Sequence, residues 1–182
     1  MSDPETRLSP MARSVSNFLN DAGWGAETQE GLLTYIGGTT TDVMELGYIC
    51  TLAPESDQVL VSVVFELAIP EIYHHELLML LNEINKGSIP GAASYHFDDE
   101  MVELCSSILI SGIEDLDENS IEEIAIESFA QVHEILIGVS LAAHMAITEL
   151  ISGVGYSEAM EIFTSAVDTF IATLDLDLDQ EV

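Results

Sequence analysis

His74 and His75, in the stretch EIYHHEL, place imidazole nitrogens near the carboxylate of Glu71. On a helix, Glu71 and His75 are four residues apart and share a face, giving two donors of the kind zinc takes. Zinc sites need three or four protein ligands, and the sequence specifies no third. Solvated polar-face histidines account for the pair, so no metal is assigned. Cys105, followed by Ser106 and Ser107, is a candidate nucleophile. A thiol in that role needs a base beside it. No glycine elbow surrounds Cys105, and no histidine adjoins it in the chain, so any cysteine–histidine pair would have to assemble in space. The run EDLDEN, residues 114–119, spaces carboxylates somewhat like a calcium loop. The sixth and twelfth loop positions, glycine and glutamate in such loops, are Ser120 and Ile126 here. These carboxylates suit a helix start instead. The chain has no P-loop and no dinucleotide-binding glycine fingerprint. No catalytic residue, cofactor or metal is expected.

His133 and His144 stand eleven residues apart in an apolar helical stretch, on nearly one face. They read either as core histidines or as interface histidines, each with a hydrogen-bond partner. Cys50 and Cys105 lack CxxC spacing, and free thiols suit a reducing compartment.

The charge balance bounds the partners. The chain has 33 Asp and Glu against 3 Lys and Arg, a formal net charge of −30 over 182 residues. Phosphate backbones and anionic membrane surfaces are bound through Lys and Arg, so nucleic acid and membrane are excluded as partners. Solubility, or adaptation to a salty cytoplasm, explains the charge more simply than a dedicated basic partner does. Hydrophobic residues make up 48% of the chain, which argues for a folded core. The N-terminus MSDPETRLSP has no apolar segment of a signal peptide. The longest uncharged run, 135–148, is shorter than the roughly 20 residues of a membrane span. A cytoplasmic protein is expected.

The elements that position these residues follow from periodicity. Residues 1–8 read as a disordered tail, 9–174 as one α+β domain and 175–182 as an acidic tail. Ser9-Pro10 caps a first helix with Met11, Val15, Phe18, Leu19 and Ala22 as its stripe, and Gly23 stops it. GLLTYI reads as a short strand and GGTTTD as a turn. VMELGYICTLA alternates, as does QVLVSVVFELAI after the turn PESD. Pro70 opens a helix over 71–86 whose arc is Tyr73, Leu77, Leu80, Leu81 and Ile84, with Ile72 and Met79 on the opposite flank. Lys86 complements its end, Gly87 offers a left-handed cap, and Pro90-Gly91 prevents continuation. AASYHF and MVELCSSILISG form a hairpin with Val102, Leu104, Ile108 and Ile110 facing inward. A long apolar helix bending near Gly138 follows. The last helix, capped by Ser157, has Met160, Phe163, Val167, Phe170 and Ile171 as its stripe.

The predicted fold is therefore α+β: one five-stranded antiparallel sheet with flanking helices, in the order α-βββ-α-ββ-α-α. The segment from LLMLLNEIN through GAASYHFDDEMVELCSSILISG resembles the YbjN-like family of bacterial proteins, described as sensory transduction regulators. Asn82, Asn85 and Gly91 fall at matching places, and GVGYSEAMEIF is similar to the turn and helix that close some members. The resemblance covers most of residues 11–172. It implies a fold similar to the type III secretion chaperones, often dimeric, and a regulatory or protein-binding role.

The expected function is a non-enzymatic regulatory or chaperone-like module acting as a homodimer on an unidentified protein partner. One alternative is a type III secretion-type effector chaperone. Another is a small-molecule-binding or cysteine-dependent enzyme with its site between sheet and helices. Candidate interface residues are Ile72, Met79, His133, Leu136, Leu141 and His144, because apolar surface beyond one core asks for a second copy.

Overall fold

The structure, a computed structural model, describes residues 8–29, 32–53, 58–87, 91–109 and 116–178. Among the described residues, six antiparallel strands form one sheet, and four α-helices accompany it. The chain runs α1 (Pro10–Asp21), β1 (Gly25–Gln29), β2 (Leu32–Thr40), β3 (Glu45–Leu52) and β4 (Gln58–Glu66). A 3-10 turn (Glu71–Tyr73) leads into α2 (His74–Lys86), followed by β5 (Ala92–His96), β6 (Met101–Leu109), α3 (Glu118–Ile151) and α4 (Tyr156–Leu178). The strand order is β1-β2-β3-β4-β6-β5. Thus α2 carries the chain to the far edge, and β6 returns between β5 and β4.

The sixth strand corrects the predicted five. Residues 25–29, GAETQ, carry no apolar alternation, so nothing marks them as a strand. They pair with β2 from Gly25 opposite Ile36 to Gln29 opposite Leu32. The expected turn GGTTTD is also overturned, because β2 continues to Thr40. The Trp24 ring lies where a side chain on Gly37 would stand, so the glycine serves close packing within a strand.

Period-two alternation divides the sheet into two unlike faces. On the inner face Leu33, Leu52, Val59 and Ile108 form one cross-strand row, and Tyr35, Cys50, Val61 and Ser106 form the next. Both rows are buried. α3 crosses β4 and β6 on this face, with α1 and α4 packed against α3 and α2 beside β5. Tyr35 is fully buried, and its hydroxyl meets Ser16 Oγ at 2.6 Å and accepts from Asn20 Nδ2 at 3.0 Å, pinning α1 to the sheet.

Helix ends follow the expected chemistry, with corrections. Ser9 Oγ accepts from Ala12 N, and Pro10 is the first helical residue of α1. Leu8 is buried in the core and so does not belong to a disordered tail. Gly87 is extended (φ −67°, ψ 170°) and forms no left-handed cap. α4 begins one residue before Ser157, where Gly155 O accepts from Glu158 N and Ala159 N. It continues through Leu178, into the segment read as a tail. α3 runs unbroken past Gly138, whose missing side chain makes room for the Phe170 ring of α4. The expectations on residues 1–7, 54–57, 88–90, Ile110, 114–115 and 179–182 lie outside the described residues.

Candidate functional site

His74 is a clamp. Its Nε2 lies 2.9 Å from the Ile69 carbonyl, and its ring packs edge-on against Phe97 at 4.8 Å. His75 is exposed, and no group of three or more metal-donor side chains converges among the described residues. Asp117 caps α3, its carboxylate accepting from Ser120 N at 3.0 Å and Ser120 Oγ at 3.1 Å. Those hydrogen bonds hold its pKa below the usual carboxylate value. The acidic run thus opens a helix.

The two cysteines stand on opposite faces. Cys50 is buried in the inner face, where loss of solvent pushes its thiol pKa up to about 12. Cys105 lies half-buried on the outer face, opposite Ser62 and Ala92. Strand alternation separates the two thiols, and both are free. The histidine on the face of Cys105 is His96, which sequence reading missed. Its Nε2 lies 2.8 Å from Glu103 Oε2, in a pair 42% and 26% exposed. The signal was there: Ser94, His96 and Glu103 share the alternation phase of Cys105. The histidine is engaged by Glu103, so the row forms no thiol–imidazole pair.

His133 sits in an aromatic nest. It stacks on Phe129 at 5.6 Å and meets Tyr48 edge-on at 4.5 Å, and Trp24 stacks on Tyr48 at 5.5 Å. Its Nε2 is buried without a hydrogen-bond partner. Desolvation lowers its pKa and raises that of Tyr48. His144 packs edge-on to Phe65 at 5.6 Å, again with a pKa lowered by burial. Leu136, only 1% exposed, is a core residue and is corrected as an interface candidate. The broad apolar arc of α3 is explained by its position, with the sheet below and α1 and α4 alongside. Leu141 and His144 are half-buried, while Ile72 and Met79 do lie open, at 78% and 39% exposure. α3 is long and apolar enough to cross a membrane, but half of its most apolar window is buried within the fold.

The family-motif residues acquire physical roles. The Asn85 amide donates to the Ala93 carbonyl at 3.0 Å and accepts from Ala93 N, standing in for a neighbouring strand at the β5 edge. Gly91 (φ +144°) lies so close to β6 that a Cβ would strike the Cys105 carbonyl oxygen. Asn82 is exposed.

A surface hollow of about 820 Å³ follows one side of α4 past Met160, Thr164 and Asp168, its lining drawn from that helix alone. A cleft of about 490 Å³ has Phe65 and His144 in its lining and Glu45 and Glu66 beside them. Beside Asn85, the space between α2, β5 and α3 is about 10 Å³, too small for a ligand.

The outer sheet face is the larger feature. Ile36 (46% exposed), Leu60 (40%) and Leu109 (72%) stand on it, with Ile49, Val64 and Cys105 half-buried among them. No described helix covers it. No family model matches the chain, and no curated protein matches its sequence.

Proposed function

We propose that this chain is a non-enzymatic regulatory or chaperone-like protein-binding module that works as a cytoplasmic homodimer. The observation that carries the reading is the uncovered apolar sheet face. A water-soluble chain gains nothing from leaving such a surface open unless another surface covers it. The β1 edge adds a second receptive feature, since an unpaired strand edge can accept an extended client segment by strand addition. Kinship to the YbjN-like family, with a fold like the type III secretion chaperones, is part of the proposal. The roles of Asn85 and Gly91 support it, because both residues act at the helix–strand junction where the resemblance lies.

The test is reconstitution. A protein captured by the chain from its host is purified and titrated against it, by light scattering for stoichiometry and calorimetry for affinity. A saturable complex is the expected result. Failure of every captured candidate to rebind in purified form would remove the reading.

A further inference from the structure

The homodimer reading leaves open which surface pairs the two copies. We infer that the outer face of the sheet is that surface, and that its occupant is a second copy of this chain. The argument rests on where the charge is absent. Three adjacent cross-strand rows occupy the middle of the face. The first is Thr34, Thr51, Leu60 and Ser107, and the second is Ile36, Ile49, Ser62, Cys105 and Ala92. The third is Gly38, Gly47, Val64, Glu103 and Ser94. From β2 to β5 these rows contain one carboxylate, Glu103, which is paired with His96, and the exposed Glu27 extends the first row onto β1 at the sheet edge. The rest of the surface is far more acidic: α3 carries Glu118, Glu122, Glu123, Glu127, Glu134 and Glu149, and α4 carries Glu158, Glu161 and Asp168.

A chain with only 3 basic residues has almost no cations to offer its own copy. Two such chains meet best where carboxylates are missing, because like charges brought together repel strongly in a poorly solvated contact. A cationic partner would be drawn to the acidic helices instead. The area is sufficient. Five strands at about 4.8 Å spacing and about seven residues at about 3.4 Å give a footprint on the order of 500 Å². Side-chain relief raises the accessible area toward the roughly 800 Å² per partner of a standard interface. The small residues Gly38, Gly47, Ser62 and Ala92 let facing sheets approach at their usual separation of about 10 Å. The exposed patch of Ile72, in the 3-10 turn, with Leu78 and Met79 of α2 is smaller and is flanked by Glu71 and Glu76.

The experiment is light scattering of the full chain at tens of micromolar, in low and molar sodium chloride, with Leu60→Glu, Ile36→Glu and Ile72→Glu alongside. The wild type is expected at twice 19.8 kDa, more completely in high salt. The two sheet-face variants should fall to half that mass with unchanged circular dichroism, while Ile72→Glu stays dimeric. Should the glutamate variants unfold, a footprint needs no substitution: iodoacetamide labelling of Cys105 should slow in step with dimerisation as protein concentration rises. If mass doubles while Cys105 labelling stays constant, or folded sheet-face variants remain dimeric, this face is not the interface and the homodimer reading survives. A wild-type monomer in both salts overturns this inference and the homodimer together, leaving partner binding to the reconstitution test. A different protein that shields Cys105 on a monomeric chain overturns the self-pairing.

Discussion

Replacing Asn85 with alanine should open the β5 edge at one residue. In the native protein the side-chain amide makes two hydrogen bonds with Ala93, one to its N–H and one to its carbonyl. Each such bond has a net worth of about 0.5–1.5 kcal/mol, so the pair is bounded at about 1–3 kcal/mol. Asn85 is an exposed residue at a sheet edge, where water can replace both bonds. The expected loss is therefore about 1–2 kcal/mol, in the lower half of that range. For a chain of this length that lowers Tm by about 2–8 °C. Hydrogen exchange gives the local assay, since the Ala93 amide should lose protection while amides in the β4–β6 ladder keep theirs. Asn85→Asp makes the sharper comparison. One carboxylate oxygen still accepts from Ala93 N, but the other now faces the Ala93 carbonyl without a proton between them. Asp should retain amide protection at Ala93 and lose stability at least as great as alanine does. Asn82→Ala should stay within about 0.5 kcal/mol, as surface substitutions do. An unchanged Ala93 exchange rate in Asn85→Ala would refute the edge-capping role.

Three further outcomes are expected. His133 has its folded-state pKa lowered by burial, so the unfolded chain takes up the proton first as pH falls. The stability it contributes is complete above the unfolded value near 6.5 and is lost below it, so melting curves from pH 8 to 5 should fall more for the wild type than for His133→Phe. Gly138→Ala should destabilise by about 1–3 kcal/mol in chemical denaturation, because the new methyl enters the space of the Phe170 ring, although alanine is the better helix former. Tm should rise from low to molar sodium chloride as the repulsion of a net charge of −30 is screened; a flat or falling curve would remove the electrostatic argument.

Elements with strong periodicity or a defined cap were legible in the sequence. The α1 stripe, the arc of α2 and the inward rows of β3, β4 and β6 all follow from where apolar residues recur. β1 was not legible, because an edge strand with one buried neighbour needs no apolar alternation. The Gly37-Gly38 pair misled for a related reason: glycine marks a turn in most contexts, but here it admits the ring of Trp24, a tertiary contact. Leu136 failed as an interface candidate in the opposite direction. An apolar arc too wide for one contact reads as a surface awaiting a partner, yet a helix set between a sheet and two helices uses most of that arc for itself, leaving Met145 half exposed. Leu136 and Gly138 are spoken for by the chain's own fold.

The distribution of apolar residues in β4 contains the clue that periodicity analysis passes over. QVLVSVVFE places Val59, Val61, Val63 and Phe65 inward, which satisfies the alternation and closes the question of the core. Leu60 and Val64 remain on the other phase, where a half-solvated antiparallel sheet normally carries polar side chains. In β2 and β3, Ile36 and Ile49 repeat the departure, and the register sets them side by side with Ser62 and Cys105. Acidity is thinned on any sheet face because strands take Glu less readily than helices do, yet here it reaches the margins as Glu27, Glu45 and Glu66. Its near exclusion from the middle of the face, in a chain with 33 acidic residues, is a constraint that solubility does not impose. A surface that must desolvate against a copy of itself does impose it, because each unpaired carboxylate there would be buried twice over, once in each copy.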